Sequence, residues 1–236
     1  LKSADVSNAY FQGKELDRIL LLRPPRGGLP WDPEYSDGET MILARVPIYG
    51  TPDAGRFFWK QFNEVIERAG FRENTTFKAF YSLSNDEGLP ICVLGTHVDD
   101  MMWAALPEAE AAVQTILDAF DCRKIEAHEF RFCGQEVKQP EGQYTVKVTC
   151  KDTSEKIENV RFKKGKKQRP TEQASEAEKS QMRSVNGSLC WVARSCRPDL
   201  SYETSRGQSR QSTATLQDLK EINVAVNRCR DNSTLG

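Results

Sequence analysis

The residues best placed to do chemistry are His97-Val98-Asp99-Asp100, two adjacent carboxylates set between the apolar runs Ile91-Cys92-Val93-Leu94 and Met101-Met102-Trp103. An apolar run, two acids and a second apolar run predict a β-hairpin whose tight turn carries the acids. Holding two negative charges together beside buried flanks is costly unless a cation sits there. Successive residues of a strand point to opposite faces, so only one of Asp99 and Asp100 can aim squarely at a given ion. A further acid must come from elsewhere in the chain, and Asp5 is the candidate. The plainer reading of the same residues is an Asp-Asp turn, since Asp favours turns through its own hydrogen bonds.

Composition sets limits on the rest. The chain has 236 residues, 33 Lys+Arg against 34 Asp+Glu, and a formal net charge of −1, so any basic surface for nucleic acid must be local. With 38% apolar and 28% charged residues it is an ordinary globular composition. No apolar run approaches the length of a bilayer span, and no signal-peptide pattern opens the chain. It begins at Leu1, inside an apparent strand and without an initiator Met, and is read as a fragment. Seven cysteines, an odd number with no Cys-x-x-Cys pair, argue against a disulfide framework or zinc knuckle. Two histidines leave little for a His-based metal site. The cysteines are read as small buried apolar residues in a reducing compartment.

Several elements must position the acids. Residues 1–12 place Asp5 on a short strand followed by a turn at Gly13, and Ile19 to Leu22 form a second strand stopped by Pro24-Pro25. Arg26 to Gly38 is loop by its glycines, prolines and acids. Met41 to Ile48 is apolar again. Residues 53–69 predict a helix: Ala54, Phe57, Phe58, Phe62, Val65, Ile66 and Ala69 share one face, with Asp53 as N-cap and Gly70 closing the end. Arg56 and Lys60, near its first turn, could face a phosphate or solvent, and spacing alone favours solvent. Phe77 to Leu83 and Leu89 to His97 are strands joined by Asn85-Asp86-Glu87-Gly88. Pro107 opens a helix with Ala112, Val113, Ile116, Leu117 and Phe120 as its buried stripe. Phe130 to Val137 and Gln143 to Thr149 are expected as strands. The pattern over residues 1–150 is α+β, a mostly antiparallel sheet with helices on one face.

Composition shifts after that. Residues 151–180 are highly charged, with six basic residues in the ten from Val160 to Arg169, and are expected as an exposed linker with phosphate-backbone contact as a secondary role. Residues 181–236 are mostly helical. Within the stretch from 176 to 230, about three helices are expected, one striped by Met182, Val185, Leu189 and Val192 and another by Leu216, Leu219, Ile222 and Val226. Arg197-Pro198 marks a break between them.

Six segments then line up, in order, with one family. The chain resembles the reverse transcriptase of copia-type LTR retrotransposons. Asp5-Val6-Ser7-Asn8-Ala9-Tyr10-Phe11-Gln12-Gly13 is similar to the family's first catalytic motif. The stretch Tyr49-Gly50-Thr51-Pro52-Asp53-Ala54-Gly55-Arg56-Phe57-Phe58-Trp59 is similar to its Tyr-Gly-Leu-Lys-Gln-Ala-Pro-Arg-Ala-Trp segment. His97-Val98-Asp99-Asp100 resembles the Tyr-Val-Asp-Asp box, and Phe132-Cys133-Gly134-Gln135-Glu136-Val137 the Phe-Leu-Gly strand. Arg183 to Leu189 and Arg197-Pro198-Asp199-Leu200-Ser201-Tyr202 match the downstream Gly-Ser-Leu and Arg-Pro-Asp segments. The likeness runs over nearly the whole chain.

The resemblance implies a polymerase palm over residues 1–150, without the fingers region that precedes it in the family, and a thumb- or connection-like helical region over 181–236. It implies RNA-directed DNA synthesis, with Asp5 and Asp99 bridging two Mg²⁺ ions (Mn²⁺ as a substitute) and Asp100 a weaker third ligand. Tyr10 would lie under the incoming sugar, and Arg56 and Asp53 near template or nucleotide. The implied partners are an RNA or DNA template–primer and deoxynucleoside triphosphates, in a cytoplasmic virus-like particle or the nucleus, with no membrane. Four positions depart from the pattern: His97 replaces Tyr, Asp53 replaces Gln, Pro52 replaces Lys and Gly55 replaces Pro. The alternative is a degenerate relic that keeps the fold and some nucleic-acid binding. An unrelated two-metal phosphotransferase or nuclease has no reason to carry the downstream segments.

Overall fold

A computed structural model describes residues 1–25, 29, 40–161 and 169–235. The expected loop from Arg26 to Gly38 and the centre of the basic run, 162–168, therefore lie outside the described residues, apart from Leu29. The chain divides into two compact units, Leu1–Ala127 and His128–Gly236. The boundary falls after 127, where the composition shift had placed it at 150.

The first unit is built on β1 (Lys2–Asp5), β2 (Leu20–Leu22), β3 (Ile42–Ala44), α1 (Ala54–Arg68), β4 (Arg72–Glu73), β5 (Phe80–Ser84), β6 (Pro90–His97), β7 (Asp100–Ala105), α2 (Glu110–Ala119) and β8 (Glu126–Ala127). Six strands form one antiparallel sheet in the order β4-β5-β6-β7-β1-β8, and β2 and β3 pair separately. Register fixes which residues share a face. Ala4 lies opposite Met101, Leu94 opposite Trp103, and Tyr81 opposite Leu94. These residues are buried with Phe58, Phe62, Val65 and Ile66 of α1 and with Val113 and Ile116 of α2, so both helices cover one face. Each such side chain removed from water contributes roughly 1.5–3 kcal/mol before entropy is counted. The α1 stripe is the one that the three- and four-residue spacing predicts. Gly70, at φ 90°, turns the chain out of the helix, its N–H bonded to Glu67 O and that of Phe71 to Ile66 O.

The second unit holds β9 (Glu129–Phe132), β10 (Gln135–Lys138), β11 (Lys147–Thr149), α3 (Lys151–Lys156), α4 (Glu176–Ser195), α5 (Ser201–Arg210) and α6 (Leu216–Asp231). The described chain is thus α+β, with six α-helices and a six-stranded antiparallel sheet. Three expectations change here. The single strand over Phe130–Val137 is a hairpin, because Cys133 and Gly134 both take positive φ (48° and 81°) and reverse the chain in two residues. The strand expected over Gln143–Thr149 pairs only at Lys147–Thr149, and Tyr144 is wholly exposed. Residues 151–161, expected as exposed linker, start with α3, bury Ser154, and pack Ile157 and Val160 into the core that the helices share.

The three long helices appear as expected. Met182, Leu189 and Val192 of α4 and Leu216, Leu219, Ile222 and Val226 of α6 form the core of this unit. Ser175 with Glu178 and Thr215 with Asp218 make reciprocal capping boxes at the two helix starts. The Arg-Pro-Asp segment has a mechanical role. Buried Arg197 grips Asp199 through two bonds of 2.8 and 2.9 Å and donates to the carbonyls of Asn232 (2.9 Å) and Cys229 (3.5 Å), closing the end of α6. In the other downstream segment Asn186, fully buried, donates to Thr204 O at 3.1 Å and so ties α4 to α5.

Candidate functional site

Asp5 is the last residue of β1 and Asp100 the first of β7, and the two are register partners. The backbone carbonyl of Asp5 accepts from Arg123 N–H at 2.8 Å, while the next residue, Val6, donates to Asp99 O at 2.9 Å. Asp5 therefore turns its backbone away from β7. Asp5 and Asp100 form a non-hydrogen-bonded pair, the kind in which Cα atoms approach to about 4.5 Å and side chains lie closest. Both project from the face opposite the helices, since Ala4 and Met101, their immediate neighbours, point into the core.

The hairpin predicted around the two acids is present. His97 pairs with Asp100, leaving Val98-Asp99 as a two-residue turn. Val98 takes φ 57°. A β-branched residue is disfavoured there by about 1–2 kcal/mol, and the strain fixes how the turn presents Asp99. Asp99 and Asp100 are both half-buried, and His97 is exposed beside Asp100. The row across the sheet end thus reads His97, Asp100, Asp5.

Like charges placed directly opposite each other repel, at a cost of about 0.2–1 kcal/mol. One offset is visible: Arg123 Nη1 lies 3.3 Å from Asp5 Oδ2. With Arg123 67% and Asp5 36% exposed, that is a surface pair, worth no more than about 1 kcal/mol. Cys122, next to it, is pushed up to about 11 by burial and then by the Asp121 and Asp5 carboxylates, so it is a neutral thiol at pH 7. The donors offered are carboxylate oxygens, which suit a hard divalent cation such as Mg²⁺. Among the described residues no three His, Cys, Asp or Glu side chains gather closely enough to hold a metal. The fold brings Asp5 and Asp100 to opposed register positions, and Asp99 precedes Asp100 on the turn.

The other candidate residues fall on the same unit. After Asp5 the chain leaves the sheet at once: Ser7 N–H bonds to Asp121 O, and Ala9–Gln12 forms a single 3₁₀ turn. The short strand expected within residues 1–12 is thus only four residues long. Tyr10 is half-buried on that turn, its ring 4.6 Å from Tyr49 and 6.4 Å from Phe58. Gly13 then passes so close to α1 that a Cβ there would sit 3.0 Å from Phe58 N, and Lys14 N–H bonds to Phe57 O. The first motif and the Tyr49–Trp59 segment, far apart in sequence, are brought together by these contacts.

Asp53 occupies the N-cap position of α1, but its side chain makes no capping bond. Arg18 takes both of its oxygens, at 2.8 and 3.0 Å, and this holds the Asp53 carboxyl below its usual range. Arg56, one turn into α1, is exposed and has no ion pair among the described residues. The charge that Asp53 brings to this segment is thus answered locally. Arg18 lies 35 residues earlier, and no sequence signal marked it. Nor did one mark Arg123 or the ring contacts of Tyr49 with Tyr10 and Phe11.

Around the basic run, Arg161 pairs with Glu158 and residues 162–168 lie outside the described residues. Comparison with protein-family models and with curated proteins returned no match.

Proposed function

We propose that this chain is the palm and thumb-like part of a copia-type reverse transcriptase, an RNA-directed DNA polymerase that adds deoxynucleotides to a primer 3′-hydroxyl. The observation that carries the reading is the facing of Asp5 and Asp100 at the open end of an antiparallel sheet, beside the strained Val98-Asp99 turn. The order of six sequence segments over nearly the whole chain supports it.

In this reading Asp5 and Asp99 would be the main residues holding the cations, with Asp100 a weaker third ligand. Two bound Mg²⁺ ions, or Mn²⁺ in their place, would supply charge neutralisation for both the attacking and the leaving oxygen of an in-line phosphoryl displacement. Tyr10 packs under the deoxyribose, where its ring leaves no room for a 2′-hydroxyl. Arg56 faces template or nucleotide phosphate. The Arg18–Asp53 pair keeps the adjoining segment from repelling the triphosphate. Template–primer and deoxynucleoside triphosphates are the partners, and the setting is a cytoplasmic virus-like particle or the nucleus. No helix among the described residues is long and apolar enough to cross a membrane.

One observation favours a second reading, a relic that keeps the fold without turnover. Arg123 sits on the carboxylate of Asp5, where a cation would bind. Primer extension on an RNA template with Mg²⁺, run beside Asp99→Asn, separates the two. Extension that vanishes in the variant supports the polymerase. No extension by the folded chain, alone or fused to a fingers segment of a related element, leaves the relic.

A further inference from the structure

We infer that the outer face of the β2–β3 ribbon is an interface between two copies of this chain, packed face to face with their strands antiparallel. The two strands pair only with each other, Leu21 lying opposite Leu43. Side chains alternate along a strand, so Ile19, Leu21 and Arg23 share one face with Met41, Leu43 and Arg45. All six are exposed, whereas Leu20, Leu22, Ile42 and Ala44 on the other face are half-buried. Ile19 is 80%, Leu43 53%, Leu21 52% and Met41 42% open to water. Four adjoining large apolar side chains make a surface built to be covered, and a two-stranded ribbon is marginal by itself.

The ribbon is anchored. Leu16 N–H bonds to Arg45 O at 2.9 Å, and Arg18, just before β2, grips Asp53 at the start of α1. Charge then selects the occupant. Beside Ile19, at one end of the apolar face, Glu15, Asp17 and Arg45 line a cavity of about 490 Å³. Arg23 stands at the opposite end. Among the described residues Glu15, Asp17 and Arg23 form no ion pair, and the neighbouring Arg18–Asp53 pair is complete in itself. A foreign strand with acidic ends would satisfy Arg23 but meet like charge at Glu15 and Asp17. A second copy answers both ends. A two-fold axis in the plane of the face and perpendicular to its strands brings Arg23 of each copy over the acid-lined end of the other. The same axis sets Arg45 over Met41, where an arginine stem covers apolar surface while its head stays wet. The contact is isologous and closes at two copies.

Sedimentation equilibrium of the full chain over a wide concentration range tests this, with urea midpoints to confirm that each variant is folded. Wild-type chain is expected to form a dimer, and Leu43→Asp to remain monomeric. Asp17→Arg and Arg23→Asp each set like charge against like at both ends of the contact. Each is expected to weaken the dimer at least about tenfold. Mixed in equal amounts, the two variants regain association, because the reversed charge of one meets the reversed charge of the other. Monomeric wild-type chain at every concentration overturns the inference, as do dimers that survive both charge reversals. A mixture that stays monomeric overturns it as well, since only the antiparallel two-fold contact pairs position 17 with position 23.

Discussion

Asp5 and Asp100 face each other across β1 and β7 with their backbones turned apart, so that two carboxylates meet at the closest type of cross-strand pair. Like charges directly opposite each other in a sheet are destabilising, and among the described residues the counter-charge on Asp5 is an exposed arginine. Arg123 competes with any cation for that carboxylate. Arg123→Gln should therefore tighten divalent-cation binding by roughly two- to fivefold, the worth of a surface ion pair. Competition against a fluorescent Mn²⁺ indicator reads this directly. Weaker binding in the variant would mean that Arg123 helps to build the site instead of blocking it.

Val98 should be replaceable with profit to the fold. Its φ of 57° costs about 1–2 kcal/mol for a β-branched residue, and glycine gives back about 0.5–1 kcal/mol in chain entropy. Val98→Gly is expected to gain a net of roughly 0.5–1 kcal/mol in urea unfolding. A loss would show that the turn is not strained in solution.

The two adjacent acids, their apolar flanks and the helix stripes were legible because each is a local pattern read at period two or 3.6. His97 to Asp100 gave the hairpin and its turn, and the α1 stripe fell on the predicted residues. What escaped was non-local or set by dihedral angles. The carboxylate of Asp53 has an arginine 35 residues away as its partner, which no capping rule can foresee. Phe130–Val137 reads as one strand until Cys133 adopts a left-handed φ, followed by Gly134, where a Cβ would stand 3.3 Å from the Trp191 ring. The charged residues after 150 hid α3, because Ser154 alone is buried within it and the next buried positions, Ile157 and Val160, follow its end.

Arg197 should be the most sensitive charged residue of the second unit. Arg197→Ala strips two carbonyls at the end of α6 of their donor and is expected to cost about 2–3 kcal/mol. Its partner gives a pH signature. Asp199 is held below the usual carboxylate range chiefly by its hydrogen bonds to Arg197, with Arg228 adding attraction. A depressed folded-state pKa stabilises above the unfolded value, about 3.9, and the gain is lost as pH falls through the lower folded value. Below about pH 4 the wild-type stability should therefore drop more steeply than that of Asp199→Asn, measured by urea midpoints across the acid range. Parallel curves would remove Asp199 from the account.

Gly207 is fixed by contact and not by dihedral freedom. A Cβ there would lie 2.6 Å from Asn186 Oδ1 and 2.7 Å from Ile222 Cδ1. Asn186 is fully buried and tethered to Thr204, so it cannot swing aside. Gly207→Ala should cost about 2 kcal/mol despite alanine's better helix propensity. An unchanged urea midpoint would show that α5 stands further from α4 and α6 than described.

The central claim is that the sheet end carrying Asp5, Asp99 and Asp100 is a divalent-cation site, and titration with Mn²⁺ followed by electron paramagnetic resonance addresses it without requiring turnover. Wild-type chain is expected to remove free Mn²⁺ from the spectrum, with Mg²⁺ restoring the signal by competition, and Asp5→Asn and Asp99→Asn are each expected to abolish that uptake. Equal uptake by wild type and both variants would place the cations elsewhere and contradict the account.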